Sequence, residues 1–286
     1  MLLQNKNAVI YGAGGSLGGA VAKALADAGA RLFLTGRHLG SVEKVAAAIR
    51  SEGGQAESAG GQAGATRRQV EAAEVDATDE EAVRAHLESV VRAAGSVDIS
   101  FNAVGQDLVQ NIPLTEISVE DFVSPIELTM RTRFITAKAA ALVMMRQRSG
   151  VILSLTATPG GIGYPYTGGF APACAAVEKL AGNLGAELGI YGIRVVNIRS
   201  AGSPDSRVFL EAVEKYPEAM AAVFPKMLAD TMLKKLPVMA DIANVAVFLC
   251  SDQAALITGV TVDVTAGTTT GLNYRVSLES RTAREV

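Results

Sequence analysis

The chain has 286 residues, of which 49 % are hydrophobic and 19 % are charged, and its formal net charge is −3. This length is sufficient for one large domain with a sizeable core. The composition excludes a disordered chain, and the small negative charge argues against a nucleic-acid-binding surface. Two cysteines, Cys174 and Cys250, lie in helical patterns and indicate no disulfide framework. We find no signal-peptide pattern and no apolar run long enough to span a membrane, so we expect a cytoplasmic protein.

The most informative stretch is residues 8–19, which read AVIYGAGGSLGG. An apolar run ends at Gly12, and a helical pattern begins at Leu17. A strand, a glycine turn and a helix in this order form the first half of a dinucleotide-binding unit. The glycines allow a tight reversal and a close approach of the backbone to a pyrophosphate, and the helix N-terminus offers free N–H groups. The residues predicted to bind the phosphates are Gly12, Gly14, Gly15, Ser16, Leu17 and Gly18.

The rest of the chain alternates apolar strand patterns with helical patterns. Further strands are predicted at 32–35, 70–75, 97–101, 151–155, 193–198 and 260–264. Helices are predicted at 41–50, 78–94, 119–148, 170–188 and 240–249, and an irregular helical region at 205–236. In the helix at 78–94, Thr78 is the predicted N-cap and Glu81 takes the capping-box position. The helix at 119–148 is expected to be interrupted near Pro125. This alternation predicts an α/β fold, a single doubly wound (Rossmann-type) domain with a parallel sheet and helices on both faces.

Two segments depart from the alternation. Residues 51–69 are rich in Gly, Ala and Gln and contain GGQA twice, at 53–56 and 60–63, so we expect a surface-loop insertion there. The polar segment 268–286 is expected to be a loosely held C-terminal tail. The domain itself is therefore predicted to span residues 1–267.

Cofactor preference is expected to depend on the end of the second strand. Enzymes that prefer NAD usually carry an acidic residue there, which binds the ribose 2′-hydroxyl. This chain has Thr35-Gly36-Arg37-His38 instead. Arg37 can pair with a 2′-phosphate, which a carboxylate would repel. We therefore expect NADP(H), with NAD(H) as the other possibility and a merely solvated Arg37 as the alternative interpretation.

From residue 5 to about residue 267 the chain resembles the short-chain dehydrogenase/reductase family. The stretch from Tyr11 to Gly18 corresponds to the family's Thr-Gly-x-x-x-Gly-x-Gly, with Ser16 in place of the middle glycine. The resemblance implies that Asp76 and Ala77 lie beside the adenine. The other cofactor-binding positions that it implies are Asn102, Ala103 and Gly105 after the fourth strand, and Gly202 and Ser206 after the sixth.

The family's catalytic residues do not carry over. Alignment of the long helix places Phe170 where the family has its proton-donating Tyr, and Cys174 where it has the Lys that binds the nicotinamide ribose. Ala157 takes the position of the substrate-orienting Ser, and Thr129 that of the helix Asn. The resemblance therefore predicts a cofactor site combined with a non-standard catalytic site.

Three interpretations follow. In the first, the chain is an NADP(H)-dependent oxidoreductase acting on a carbonyl, an alcohol or a related unsaturated small molecule, with Tyr164 or Tyr166 as the acid and Thr156 or Thr158 as the orienting group. The tyrosines can also be read as pocket walls. An activated substrate, such as an iminium or a conjugated enone, would need less help from an acid.

In the second interpretation, a non-redox protein keeps NADP(H) as a structural or sensing ligand. In the third, the fold carries a different reaction with Cys174 as nucleophile. This reading is the weakest because the two histidines, His38 and His86, are distant in the sequence. No metal-ligand spacing occurs.

Association with further copies of the chain is also expected. The helices predicted at 130–148 and 170–188 are rich in alanine, which suits close packing between subunits. The family resemblance implies a dimer or tetramer built on these two helices. The expected partners are a small-molecule substrate and further copies of the chain, with no nucleic acid and no membrane.

Overall fold

A computed structural model describes residues 1–58, 68–105 and 108–269. Its strands are β1 (Asn7–Tyr11), β2 (Arg31–Gly36), β3 (Val70–Glu74), β4 (Ile99–Asn102), β5 (Gly150–Ala157), β6 (Ile193–Ser200) and β7 (Val260–Val264). Its helices are α1 (Ser16–Asp27), α2 (Leu39–Ser58), α3 (Glu80–Ala94), α4 (Val119–Gln147), α5 (Phe170–Leu188), α6 (Arg207–Lys215), α7 (Pro217–Asp230) and α8 (Met239–Cys250).

The seven strands form one sheet in the order β3-β2-β1-β4-β5-β6-β7, and every neighbouring pair is parallel. The chain winds outward from β1 to β3, then crosses back and winds outward in the other direction from β4 to β7. This confirms the predicted doubly wound, Rossmann-type α/β fold. The direction of winding reverses between β1 and β4, and in such sheets ligands bind outside the carboxyl ends of the strands at this switch point.

Helices cover both faces of the sheet. Successive residues of β1 point to opposite faces, so that Ala8 and Ile10 belong to one hydrophobic cluster and Val9 and Tyr11 to the other. The first cluster is completed by α1, α2 and α8, and the second by α3, α4 and α5. All five residues of β1 are buried, as a central parallel strand requires.

The predicted bounds of α5 and β7 are confirmed, and three local expectations are wrong. Asp79, not Thr78, is the N-cap of α3, and its carboxylate accepts hydrogen bonds from the amides of Glu81 and Ala82. Thr78 instead donates its hydroxyl to Asp76. Because Thr and Asp are both good N-cap residues, local sequence does not decide between adjacent candidates.

Helix α4 runs without interruption through Pro125, which is buried in its second turn. The missing amide removes one helical hydrogen bond, but the packing of the remaining turns retains the helix. Helix α2 continues to Ser58, so residues 51–58 are helical where we expected a loop. The run of Ala, Glu and Lys before residue 53 has high helix propensity and carries the helix forward. The rest of the expected insertion, 59–67, and the tail segment 270–286 lie outside the described residues.

Candidate functional site

The glycine turn lies at the carboxyl end of β1, beside the switch point. Gly12 has φ +76°, and a Cβ there would lie 2.7 Å from the carbonyl oxygen of Ala103, which follows β4. A Cβ at Gly18 would overlap the carbonyl oxygen of Gly12, and one at Gly14 would lie 2.5 Å from Ser41 Oγ. Gly12 is therefore required by both its conformation and a close backbone approach, and Gly18 by a close backbone approach.

The N-terminus of α1 points its free amides at this turn. Gly15 is its N-cap, no side chain caps it, and its first turn contains no acidic residue. Ser16 and Leu17 are its first two residues, and Ser16 Oγ accepts a hydrogen bond from the amide of Arg207 at 3.0 Å. The Ser16 hydroxyl keeps its own proton for another acceptor. An uncapped helix N-terminus without carboxylates is suited to bind phosphate.

Charged side chains surround the ends of β2 and β3. Arg37 directly follows β2 and is exposed. Asp76 Oδ1 accepts from both the amide and the hydroxyl of Thr78 at 2.8 Å. The Thr78 amide, and to a smaller extent the charge of Arg37, lower the pKa of Asp76. A carboxylate that the sequence analysis missed, Glu74, accepts from the amide of Leu39 at the start of α2, at 3.3 Å.

Asn102 is the last residue of β4, the strand across the switch point from β1, and it is buried. Its Nδ2 donates to the Thr132 carbonyl at 3.1 Å and to Thr136 Oγ1 at 2.9 Å, and its Oδ1 accepts from the amide of Val104 at 3.0 Å. These bonds connect β4 to the middle of α4. They hold the Ala103–Gly105 segment against the glycine turn.

The sequence analysis missed Arg133, which lies on the sheet-facing side of α4 and is only 7 % exposed. Its Nη1 donates to Asn102 Oδ1 and its Nη2 to the Val104 carbonyl at 3.3 Å. Its Nε is buried and has no hydrogen-bond partner among the described residues. Burial lowers the pKa of Arg133 to about 10. The available signal was its helical register, four residues before Ala137 and seven before Ala140, both buried.

The first turns of α5 carry the two positions at which the family resemblance implies Tyr and Lys. Phe170 begins the helix and is half-buried, and Cys174 is buried. Burial raises the pKa of the Cys174 thiol to about 11, so the thiol is neutral near pH 7. Such a thiol is a poor nucleophile, which argues against the third interpretation.

Thr156 and Thr158, at and just after the end of β5, are buried and bonded to protein groups. Thr156 Oγ1 donates to Glu178 Oε1 at 2.9 Å and accepts from Asn197 Nδ2 at 2.7 Å. Thr158 Oγ1 donates to the Ser200 carbonyl at 3.3 Å. The protons of both hydroxyl groups are therefore engaged within the protein.

A charge network lies behind these threonines, formed by Glu178 of α5, Arg199 of β6 and Asp263 of β7. Arg199 donates to both carboxylate oxygens of Glu178, and its Nη1 lies 3.0 Å from Asp263 Oδ2. A Cβ added at Gly161 would lie 2.5 Å from the guanidinium carbon of Arg199. The network therefore leaves room only for glycine in the turn that follows β5.

Tyr164 and Tyr166 lie in the loop between β5 and α5, where they are 42 % and 54 % exposed. The backbone of Tyr166 has φ +61°, and its carbonyl accepts from the amide of Asn111 at 2.8 Å. The phenol groups therefore belong to a loop that is fixed by its backbone while its side chains remain accessible.

Helices α6 and α7 pack on the segment that follows β6. A Cβ at Gly202 would lie 2.5 Å from Phe209 and 2.6 Å from Met227, so α6 and α7 contact the backbone there. Ser206 is the N-cap of α6 and accepts from the amide of Phe209 at 3.4 Å. Ser203 Oγ, also missed in the sequence analysis, is buried without a partner among the described residues.

Neither a metal site nor a membrane-spanning helix occurs in the described part of the chain. No cluster of three or more His, Cys, Asp or Glu side chains is arranged to hold a metal ion. No helix in the same ranges is both long and apolar enough to cross a membrane.

Comparisons with known proteins show which family of proteins the chain resembles. The family model described as enoyl-(acyl carrier protein) reductase matches residues 12–269. An uncharacterised oxidoreductase of Mycobacterium tuberculosis (strain ATCC 25618 / H37Rv) is 31 % identical over 267 residues, which cover 90 % of this chain and 88 % of that protein. The 2,3-dihydro-2,3-dihydroxybenzoate dehydrogenase of Bacillus subtilis (strain 168) is 29 % identical over 273 residues, with 94 % and 98 % covered.

The fold is likewise shared with solved structures. The crystal structure of levodione reductase has a TM-score of 0.83 and 24 % identity, with 94 % of this chain and all of that chain covered. This likeness concerns the fold alone. The family model and the relative that is 31 % identical show that the chain belongs to the short-chain dehydrogenase/reductase family of oxidoreductases.

Proposed function

We propose that this protein is an NADP(H)-dependent oxidoreductase, which transfers a hydride between the cofactor and a carbonyl, an alcohol or a related unsaturated group of a small molecule. Family members use NAD(H) or NADP(H). The observation that carries the proposal is the glycine turn, because Gly12 and Gly18 leave no room for a Cβ and the α1 N-terminus is free of carboxylates. When bound, the cofactor supplies or accepts the hydride.

The residues present fit such a dinucleotide. Gly14, Gly15, Ser16 and Leu17 would hold the pyrophosphate through backbone amides and the free proton of Ser16. Asp76 and Ala77 would contact the adenine. Asn102, Ala103 and Gly105 would line the cofactor between β1 and β4, and Cys174, Gly202 and Ser206 would contact its nicotinamide half.

Preference for NADP(H) is supported by charge at the end of β2. Arg37 is the exposed cation there, while the carboxylates of Glu74 and Asp76 are engaged with the Leu39 amide and with Thr78. A guanidinium attracts the 2′-phosphate that distinguishes NADP(H) from NAD(H). NAD(H) remains the second candidate cofactor.

Titration of the purified protein with NADPH and with NADH, followed by cofactor fluorescence, tests this proposal. We expect NADPH to bind more tightly. Arg37→Met should raise the Kd of NADPH about tenfold, since hydrogen bonds to charged groups contribute about 1.5–3 kcal/mol and solvent screens this exposed site. The Kd of NADH should change less than threefold.

The control is Arg92→Met, which removes another exposed arginine at the last turn of α3 and should leave both affinities unchanged. Equal losses for NADPH and NADH in Arg37→Met would refute the role of Arg37 with the 2′-phosphate. Failure of the unaltered protein to bind either nucleotide would refute the proposed function itself.

For the proton that accompanies hydride transfer, we propose Tyr164 or Tyr166. Both phenols are accessible, whereas the protons of Thr156 and Thr158 are engaged by Glu178 and the Ser200 carbonyl. The threonines keep the role proposed for them as orienting groups, since a hydroxyl oxygen that donates can still accept a hydrogen bond.

One observation favours a second candidate function, a protein that binds NADP(H) without turnover. At the start of α5 the phenyl ring of Phe170 has no acidic proton to donate, and the neutral thiol of Cys174 carries no positive charge. This candidate predicts nucleotide binding but no change in NADPH absorbance with any carbonyl, iminium or enone substrate. Oxidation of NADPH by any one of these would refute it.

Assembly as a homo-oligomer is proposed through α4 and α5. On α4, the large apolar side chains of Phe134 and Leu142 are each 50 % exposed. Burial of this face against a second copy of the chain would remove them from water.

A further inference from the structure

Arg133 is a buried cation for which the described residues provide no counter-charge. Its guanidinium contacts two neutral acceptors, Asn102 Oδ1 and the Val104 carbonyl. No carboxylate forms an ion pair with it within residues 1–58, 68–105 and 108–269. The one titratable group that interacts with it electrostatically is Cys174, and that thiol is neutral near pH 7.

A buried charge of this kind raises the free energy of the folded protein. Burial of a charge without a partner of opposite charge is strongly unfavourable, and hydrophobic replacements of buried charges are often neutral or stabilising. A cavity of about 20 Å³, lined by Arg133, Asn102, Thr136 and Ser154, has room for one water. A neutral water there would not neutralise the charge. Because the buried charge of Arg133 is unfavourable for folding, its presence indicates a function other than stabilisation of the fold.

The location of Arg133 points to that function. Asn102 and Val104, which it contacts, end and follow β4 at the switch point. A Cβ at Gly12 would lie 2.8 Å from the Val104 Cα, so the segment held by Arg133 packs directly on the glycine turn. The guanidinium also lies close enough to Cys174 of α5 for each to affect the pKa of the other.

The strand order fixes which half of a dinucleotide would be close. Arg37 and Asp76 follow β2 and β3, on one side of β1, and would take the adenosine half. The glycine turn after β1 would take the pyrophosphate. The other half then extends over β4, β5 and the start of α5, which is the side on which Arg133 and Cys174 lie.

We propose that Arg133 binds the oxygen atoms of the nicotinamide-ribose half of the dinucleotide, and that α4 thereby supplies the positive charge that α5 lacks at Cys174. This inference rests on the proposed function. Arginine suits the role because its planar guanidinium donates several hydrogen bonds at once. With a pKa of about 10, it stays charged throughout the neutral range.

The test compares binding of NADPH with binding of adenosine 2′,5′-bisphosphate, which has the adenosine half alone. We expect Arg133→Met to raise the Kd of NADPH at least tenfold and that of the bisphosphate less than twofold. Arg133→Lys, which keeps the charge, should return the Kd of NADPH to within fivefold of the original. The control Arg131→Met removes an exposed arginine two residues away, paired with Glu127, and should change neither Kd.

Thermal melting of the nucleotide-free protein separates this role from a structural one. Since the charge costs stability, Arg133→Met should melt at the same temperature as the unaltered protein or higher. An unchanged Kd of NADPH in Arg133→Met would overturn the inference, as would an equal loss for both ligands. A lower melting temperature with no rescue by Arg133→Lys would also overturn it. If the unaltered protein binds no NADPH, the proposed function fails first, and this outcome is distinct from the other three.

Discussion

Removal of the positive charge of Arg199 is expected to destabilise the fold. Arg199 lies between Glu178 and Asp263, and the three side chains are only 14–24 % exposed. Arg199→Met fills similar space but leaves two partly buried carboxylates without their cation. Breaking a fully buried pair in this way costs about 3–5 kcal/mol. Since some water reaches this network, we expect about 2–3 kcal/mol.

For a domain of this size, each kcal/mol lowers the Tm by about 2–4 °C, so Arg199→Met should melt about 4–12 °C below the unaltered protein at pH 7.5.

Circular dichroism melts at pH 7.5 measure this effect. Arg131→Met serves as the control, because it breaks an exposed pair with side chains 54 % and 64 % exposed, which should cost less than about 1 kcal/mol. The double variant Glu178→Gln/Arg199→Met should recover part of the loss. A Tm of Arg199→Met within 2 °C of the original at pH 7.5 would refute the reasoning.

Two other predictions concern the site directly. Gly18→Ala places a Cβ against the carbonyl oxygen of Gly12 and should raise the Kd of both NADPH and NADH at least tenfold, as measured by fluorescence titration. The control is Gly95→Ala, at an open position distant from the turn. It strains the end of α3 but should leave both Kd values unchanged. One of the two variants Tyr164→Phe and Tyr166→Phe should lower kcat at least tenfold with little effect on the Kd of NADPH. If turnover is unchanged in both variants, neither tyrosine is the proton donor.

Local patterns predicted the parts of the structure that depend on local physics. The glycine turn was recognisable because backbone conformation there excludes other residues, and α5 was predicted with its observed bounds because its apolar period persists between clear ends. The N-cap of α3 was missed because Asp76 takes the hydroxyl of Thr78, a contact that the helix pattern does not contain.

The charged interior of the site could not be predicted in this way. Arg199 and Asp263 are 64 residues apart in the sequence and meet only because β6 pairs with β7. Arg133 reaches Asn102 over 31 residues, across the packing of α4 on the sheet. Nothing in the local sequence distinguishes these residues from other charged residues, because the fold determines which groups they contact. Helical register can indicate that Arg133 is buried, but not which groups it contacts.

The close contact between α4 and α5 bears on how ligands enter and leave. A Cβ at Gly169 would overlap the carbonyl oxygen of Phe122, and it would lie 2.8 Å from the ring of Pro125. The starts of the two helices therefore touch backbone to backbone. The α6–α7 segment, by contrast, has no fully buried residue. Ligand exchange is thus expected to be gated by the movement of α6 and α7, and the rate of product release would then depend on their packing over Gly202.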